Sequence, residues 1–349
     1  CIIYMCTVCK ITIFFPIPCR MLVPLRFFLY LCIRQAAARQ FESKLSLRSH
    51  LRYLCKKTQM NPNKTVSVVM CTFNGERYVG EQLDSIVAQA YPIHELIIED
   101  DGSTDRTVDI CMEYASRYPF IKVVVNERNL GLDANFEAAT MMSTGDFVAL
   151  SDQDDVWYPE KISRQVEAIG DNDICFSCYD RGADRRHTTL VCQQYRLEAL
   201  LFAGFAGHTM LLRGEFARTH EHWALASQVP FMHYDWSLAV FAQLSRGIIR
   251  LDEALNLHRY NPGSAIAKEL RRKKRVPAYV PYTQGLREYR RMQSRPEWQR
   301  FYSQVFNHTS DAFQPLAHRM SGLMLKHGIG ALLRLCGLCC RHRVTIYWN

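Results

Sequence analysis

The sequence predicts an α/β fold: a mainly parallel, Rossmann-like sheet flanked by helices. From Val66 to about Leu150, short apolar runs rich in branched residues alternate with stretches of helical periodicity. Strands joined by helical crossovers pair in parallel. The polar residues that follow these runs are mostly acidic, and such a sheet gathers its ligand groups beyond the carboxyl ends of its strands.

Val66-Ser67-Val68-Val69-Met70-Cys71 is the first buried strand, ended by the turn Thr72-Phe73-Asn74-Gly75. Tyr78, Leu83, Ile86 and Val87 recur at roughly helical spacing until Tyr91-Pro92 stops them. Glu95 to Glu99 reads as a second strand, Thr107 to Tyr118 as a helix and Ile121 to Val125 as a third strand. Ala134 to Met142 is the next helix and Phe147 to Leu150 the next strand. Beyond Asp171 the alternation weakens, with Gly204 to Arg213 reading as loop then strand and Tyr234 to Leu244 as a helix. From Lys268 a basic run (Arg271 to Arg275) precedes mostly helical composition.

With 349 residues and 48% hydrophobic content the chain can bury a large core. Its net charge of +9 is segmental. Residues 1–59 carry ten Lys/Arg against Glu42 alone, residues 60–267 carry 17 basic and 29 acidic side chains, and residues 268–349 carry 16 and 4. An acidic body repels phosphodiester backbones, so nucleic acid is not the expected partner. The expected organisation is therefore a basic, Cys-rich head (1–59), a catalytic domain (60–267) and a basic helical tail (268–349).

The head lacks turn punctuation and is followed by Met60-Asn61-Pro62-Asn63-Lys64, which reads as a start, so the head is expected to be upstream sequence. The alternative is a membrane anchor over Ile11 to Ile33, but Arg20, Arg26, Pro16, Pro18 and Pro24 interrupt it. A spanning helix needs about 20 apolar residues, and a central charge costs roughly 3 kcal/mol. No A-x-A-like cleavage site follows a clean apolar core, so secretion is not expected. Of 14 cysteines, six lie in the head and Cys336, Cys339 and Cys340 near the other end, which is no disulfide framework and points to a reducing, cytoplasmic compartment. The pairs Cys6/Cys9, Cys175/Cys178 and Cys336/Cys339 have zinc-like spacing but no matching partner pair.

A dinucleotide-binding enzyme would place G-x-G-x-x-G after the first strand; here that position reads Thr72-Phe73-Asn74-Gly75-Glu76-Arg77, and no Walker-type loop is present. A bound diphosphate would then be held by metal, which separates nucleotide-sugar transfer from hydride transfer and ATP hydrolysis. Asp152, Asp154 and Asp155 crowd one strand end, where a hard divalent cation would offset their repulsion. The alternative is a solvated acidic turn capping the helix that begins near Pro159.

Four ordered segments carry a resemblance: Val68-Val69-Met70-Cys71-Thr72-Phe73-Asn74, Glu99-Asp100-Asp101-Gly102-Ser103-Thr104-Asp105, Asn129-Leu130-Gly131 with Asn135, and Ser151-Asp152-Gln153-Asp154-Asp155-Val156-Trp157. With Gly207-His208-Thr209-Met210 and His233-Tyr234-Asp235-Trp236, they resemble the family 2 glycosyltransferases, in particular the bacterial rhamnosyltransferase-like branch, over about Val66 to Ser264.

That resemblance implies the GT-A fold, with a nucleotide-sugar half (60–157) merged with an acceptor half (158–267), and inversion at the anomeric centre. It places Thr72 and Asn74 in the nucleotide pocket and Asp100 and Asp101 on base and ribose. It makes Asp152 and Asp154 the D-x-D element, with Asp152 on ribose or metal-bound water and Asp154 as a direct ligand of Mg2+ or Mn2+. Trp157 either walls the sugar site or packs in the core. Asp235 matches the general base, and it could also N-cap a helix starting near Trp236. The stretch Leu257 to Gly263 resembles one that usually reads Tyr-Arg-Gln-His; Arg259 is kept and would offset phosphate charge, while His258 is a weaker candidate metal ligand.

The implied donor is a nucleotide-diphosphate sugar, with dTDP-rhamnose suggested by the branch. The implied acceptor is a saccharide or lipid-linked saccharide in cell-surface polysaccharide synthesis. A catalytically inactive nucleotide- or sugar-binding module is the alternative. The basic tail is either a solvated helical face or a peripheral contact with an anionic membrane surface, the inner face of the cytoplasmic membrane, into which Leu323, Leu325, Leu332, Leu333 and Leu335 dip.

Overall fold

The computed structural model describes residues 4–6, 11–13, 64–202, 204, 206–230, 232–259, 261, 292–342 and 344. Most of the stretch Ile11 to Ile33, Met60 and the basic run Arg271 to Arg275 lie outside the described residues. The chain divides into two compact units, residues 1–62 and 63–349. In the first, Tyr4–Cys6 pairs antiparallel with Ile11–Ile13. Among the described residues no helix is long and apolar enough to cross a membrane.

The second unit is built on a nine-stranded sheet. Its first four strands are β1 (Val66–Thr72), β2 (Glu95–Asp100), β3 (Ile121–Val125) and β4 (Phe147–Asp152), all parallel, in the order β3-β2-β1-β4. Helices α1 (Val79–Val87), α2 (Thr107–Arg117) and α3 (Leu132–Met141) make the crossovers. β1 and β2 are buried on both faces, which is why they read as continuous apolar runs; β3, at the edge, is largely exposed.

Beyond β4 the sheet becomes mixed. β5 (Val156–Trp157), β6 (Ile174–Gly182), β7 (Thr188–Val191), β8 (Met210–Arg213) and β9 (Ile248–Arg259) continue the order as β4-β8-β6-β9-β5, with β7 on the far side of β6. β8 is antiparallel to both β4 and β6, while β9 is parallel to β6. β6 and β9 escape the sequence pattern because β6 turns polar after Tyr179 and β9 mixes charged and apolar residues without strict alternation.

Alternate side chains of β1 feed two cores. Val66, Val68 and Met70 meet Leu83 and Ile86 of α1 and Ile162 of α4 (Lys161–Ala168) on one face. Val69 and Cys71 meet Phe136 of α3 and Leu238 and Val240 of α5 (Tyr234–Leu244) on the other. The second core extends into the tail: α6 (Pro296–Asn307), α7 (Pro315–Met324) and α8 (Ile329–His342) bury Phe301, Tyr302, Met320 and Leu335 in it. Trp298 of α6 lies 6.0 Å from Trp236 of α5, and Tyr302 Oη donates to the Leu201 carbonyl at 3.3 Å. Leu332 and Leu335 therefore pack inward against protein, whereas Leu333 is exposed.

The structure corrects the expectation that the central cysteines stay reduced. Cys178 on β6 is joined to Cys192 just past β7, their Cα atoms 4.4 Å apart. The antiparallel β6–β7 pairing brings together residues whose 14-residue spacing carries no signal in the sequence.

One buried carboxylate ties the sheet's lower edge. Glu95 accepts from Ser67 Oγ, from Thr144 N and Oγ1, each at 2.7 Å, and from Lys122 Nζ at 2.8 Å. Burial opposes its ionisation, but Lys122 and the Thr144 and Ser67 donors prevail and lower its pKa from 4.5 to about 2. A lowered carboxylate pKa stabilises the fold above the unfolded value and is lost as pH falls through the folded one. Glu95 is thus expected to supply about 2–3 kcal/mol at neutral pH that disappears between pH 4.5 and 2. Glu95→Gln should lower stability at pH 7 by that amount and flatten the acid limb of a denaturant-monitored pH titration; an unchanged limb would contradict it.

Candidate active site

The carboxyl ends of β2, β1 and β4 lie side by side. Thr72 is in register with Asp100, and Cys71 with Asp152. Three of the residues expected at the site are therefore neighbours across adjacent strands, at the position where open α/β sheets bind ligands.

The loop after β1 is held by its neighbours. Thr72 Oγ1 donates to Asp100 Oδ2 at 2.7 Å, and Asp100 also accepts from Ser103 N and Oγ, both at 2.7 Å. Asn74 has φ 48°, a left-handed conformation that asparagine tolerates. Its N–H donates to Ser103 Oγ at 2.8 Å and its Oδ1 accepts from Thr104 N at 2.9 Å. Gln153 pairs with the Phe73 backbone in both directions at 3.0 Å, binding the first loop to the acidic turn. A Cβ on Gly75 would overlap the Gln153 amide, so a side chain there would displace that amide from the Phe73 backbone.

Asp101 is buried, and its carboxylate accepts from Leu130 N at 2.6 Å and from Gly131 N at 2.9 Å. Asn129 Nδ2 donates to the Asp101 carbonyl at 3.0 Å, and Gly131 has φ 86°. The second and third sequence motifs are thus one hydrogen-bonded unit. In this structure the Asp100 and Asp101 carboxylates are engaged by protein donors.

The acidic turn splits into two parts. Asp155 is fully buried: Oδ1 lies 2.9 Å from His258 Nδ1, Oδ2 lies 2.9 Å from His208 Nδ1, and Asn256 Nδ2 donates to Oδ2 at 2.9 Å. The two imidazoles stack at 4.5 Å. Burial alone would raise the Asp155 pKa, but His208 and His258 together hold it below the usual carboxylate range. Burial likewise opposes the charge on His258, yet Asp155 lifts it to about 9, while burial keeps His208 low.

Asp152 and Asp154 are pushed the other way, first by burial and then by repulsion from Asp155. Asn261 Nδ2 donates to Asp154 Oδ2 at 2.7 Å. These two carboxylates have the hard-oxygen chemistry and the uncompensated charge that suit Mg2+ or Mn2+. Asp155, His208 and His258 place three ligand atoms within 4.8 Å of one another, but their charge is already balanced among themselves.

Asp235 sits in the first turn of α5. Its carboxylate accepts from Trp236 N at 2.7 Å and Gly207 N at 3.2 Å, and burial raises its pKa to about 6 against the pull of His233 and those N–H groups. Its charge acts on Asp152, so the two carboxylates lie within electrostatic reach of each other. The helix begins at Tyr234, not near Trp236, and its first N–H is taken by Asp133 of α3 at 2.8 Å. Asp235 is therefore not the N-cap.

Trp157 is 1% exposed and belongs to the core beneath the turn, the packing role of the two open to it. Fully buried Lys161 has its Nζ 5.0 Å from that ring, and burial lowers its pKa to about 7. Arg259, at the end of β9, pairs with Glu81 at 2.7 Å. Asn256, Lys161 and Asp133 carry no signal in the sequence, and Gln153 stands there only as part of the acidic motif; contacts across 80 to 101 positions give Gln153, Asp133 and Asn256 their roles.

Residues 67–222 match the family described as Glycosyl transferase family 2. The chain is 31% identical over 207 residues to an uncharacterized protein of Mycobacterium tuberculosis, covering 56% of this chain and 58% of that protein. It is 36% identical over 115 residues to the dTDP-rhamnosyl transferase RfbG of Shigella flexneri, covering 32% and 39%. The chain thus spans less than two thirds of the length of these relatives. Among solved structures it is similar to S. aureus TarS in complex with UDP-GlcNAc, with a TM-score of 0.50 and 20% identity over 80% of this chain and 82% of that one, a likeness of fold.

The split of the turn predicts opposite effects from two like substitutions in metal-free protein. Asp155→Asn leaves the half-buried His258 without its ion-pair partner and should cost roughly 2–3 kcal/mol. Asp152→Asn removes a repelled charge and should leave stability unchanged or raise it. Thermal unfolding of both variants in chelator checks this; a Tm lost equally in both would contradict the division.

Proposed function

We propose that this chain, whose residues 67–222 are a glycosyl transferase family 2 domain in a GT-A fold, transfers a sugar from a nucleotide-diphosphate donor to a hydroxyl of a saccharide or lipid-linked saccharide acceptor, with inversion at the anomeric carbon. The observation that carries this reading is the pairing of two groups of opposite duty. Asp152 and Asp154 end β4 with charge left over, and Asp235, a carboxylate of raised pKa, lies within electrostatic reach of Asp152.

In this reading the donor half is residues 60–157, where Thr72, Asn74, Asp100 and Asp101 shape the nucleotide pocket, and the acceptor half is residues 158–267. Asp154, with Asp152, would hold a divalent cation that neutralises charge on the departing diphosphate. Asp235 takes the proton of the acceptor hydroxyl as that oxygen bonds to the anomeric carbon, while the bond from that carbon to the diphosphate oxygen breaks on the opposite face. The Gly207 and Trp236 N–H groups fix the orientation of its carboxylate. Arg259, at the end of β9, adds positive charge on the side of the leaving group.

The name of the Shigella relative makes dTDP-rhamnose the first donor to test, and the cell-surface polysaccharide that the sequence resemblance implies is the first acceptor class. The location that fits a lipid-linked acceptor is the cytoplasmic face of the membrane.

Asp235→Asn should bind donor normally but lose about 10²- to 10⁴-fold in kcat. Only the ionised carboxylate can accept a proton, so wild-type kcat should fall as pH drops through about 6, and the variant's residual rate should not follow that limb. A kcat within a few-fold of wild type would place the base elsewhere. Donor binding by the wild type without either transfer or donor hydrolysis would favour the inactive binding module.

A further inference from the structure

The two C-terminal helices repeat one pattern. Arg319-Met320-Ser321-Gly322-Leu323-Met324-Leu325-Lys326 and Arg334-Leu335-Cys336-Gly337-Leu338-Cys339-Cys340-Arg341 both read R-x-x-G-L-x-x-K/R. Spacing of three, four and seven residues sets the four marked positions of α8 on one helix face, and those of three and four set Arg319, Gly322 and Leu323 on one face of α7, with Lys326 two residues past its end. α7 and α8 are joined by the four residues 325–328, a connection of the length that makes a helical hairpin. All eight marked residues line a single cavity of about 720 Å3 between them.

The chemistry of that cavity is divided. Its walls are largely apolar, with Phe306, Leu323, Leu325 and Leu338 contributing; the Phe306 ring lies against Gly322 of α7, whereas Gly337 of α8 leaves space open. A Cβ on Gly337 would meet nothing within 4 Å. Its cations are Arg319, Lys326, Arg334 and Arg341, all exposed to solvent, and among the described residues no carboxylate lines it. Glycine inside a helix costs about 1 kcal/mol relative to alanine; the close approach of the Phe306 ring accounts for Gly322, and the open space beside Gly337 supplies the reason for the other. The volume falls within the roughly 300–1,000 Å3 of small-molecule sites.

An apolar slot ringed by four positive charges is complementary to a molecule with an anionic head and a hydrocarbon body. The surroundings indicate a source for it. Ile329 and Leu333, one turn apart on α8, are 57% and 52% exposed, and Phe313 just before α7 is 44% exposed. Exposed apolar side chains beside arginines are the arrangement of helices that lie in a membrane interface.

We propose that the cavity between α7 and α8 is a binding site for an anionic phospholipid of the membrane. The phosphoryl head lies on the Arg319, Lys326, Arg334 and Arg341 charges, and an acyl chain enters over Gly337, against Leu323 and Leu338. The site is separate from the carboxylates at the end of β4 and does not depend on the transfer reaction.

The full chain is incubated with vesicles of phosphatidylcholine alone or doped with phosphatidylglycerol, and the bound fraction is read by cosedimentation. Wild type should partition onto the doped vesicles and not onto phosphatidylcholine. Each surface cation is worth about fivefold in such binding, so Arg319→Gln with Arg341→Gln should reduce partition roughly 25-fold, with unchanged circular dichroism. Gly337→Leu keeps every charge and favours helix, yet fills the slot. It should weaken binding to the doped vesicles while leaving the melting temperature equal or higher. Three results overturn the proposal: no preference for phosphatidylglycerol, undiminished binding by the double variant, or undiminished binding by Gly337→Leu. The last would mean that charge alone, without the cavity, holds the lipid. Inorganic phosphate is the remaining probe: if it shifts the melting temperature through the same arginines while vesicles do not bind, the site takes a soluble anion and the lipid assignment fails.

Discussion

Asp155 carries a negative charge with no access to water, and the arrangement around it follows from keeping that charge tolerable. A carboxylate taken out of solvent loses several kcal/mol of hydration unless partners replace it. Here His258 from β9, His208 from the turn before β8, and Asn256 from β9 supply hydrogen bonds at about 2.9 Å. Those partners come from the mixed half of the sheet, whereas Asp155 follows β4, the last parallel strand. Satisfying one carboxylate therefore fastens the two halves of the sheet together at the mouth of the site. The same contacts bring Asn261 against Asp154. What the protein neutralises at Asp155 it leaves unneutralised at Asp152 and Asp154, whose pKa values are raised by burial first and then by the remaining repulsion.

Around that turn the motif residues act largely as a frame. Thr72, Asp100 and Ser103 form one cluster, and Asp101 with the Asn129-Leu130-Gly131 loop forms another. Gln153 joins the first cluster to the acidic turn through the Phe73 backbone. Loops built from hydrogen bonds to buried carboxylates are rigid, so a diphosphate meeting them finds its surroundings already in place, which lowers the entropy lost on binding. Asp235 belongs to the other half and comes within electrostatic reach of Asp152 from α5. That helix is fixed to α3 by Asp133, which accepts the Tyr234 N–H and lies 3.2 Å from His233.

The parallel half of the fold is legible in the sequence because its strands are buried on both faces and its helices carry apolar residues at helical spacing, as in Val79, Leu83 and Ile86. The mixed half is not. β9 runs Ile248 to Arg259 with Arg250, Asp252 and Glu253 interspersed, a pattern neither alternating nor continuous, and it is held by pairing with β6 more than by its own composition. The site divides in the same way. Asp152 and Asp154 stand out as a local cluster, and Asp235 stands out through its neighbours. The partnership of Asp155 with His208 and His258 joins residues 53 and 103 positions away from it, and no local pattern encodes it. Trp157 could be assigned to core or pocket only once the sheet placed its ring beneath the turn. The bridge between Cys178 and Cys192 likewise depends on a hairpin that the sequence does not announce.

Two sets of side chains near β4 could hold a cation, and the account rests on the choice between them. Calorimetric titration of Mn2+ into the protein with UDP present, for wild type, Asp154→Asn and His258→Asn, tests that choice. The account predicts that Asp154→Asn loses at least tenfold in affinity, a carboxylate ligand being removed, while a folded His258→Asn protein still binds. Intact binding by Asp154→Asn together with its loss in His258→Asn would put the cation on Asp155, His208 and His258, and would contradict the division of the turn.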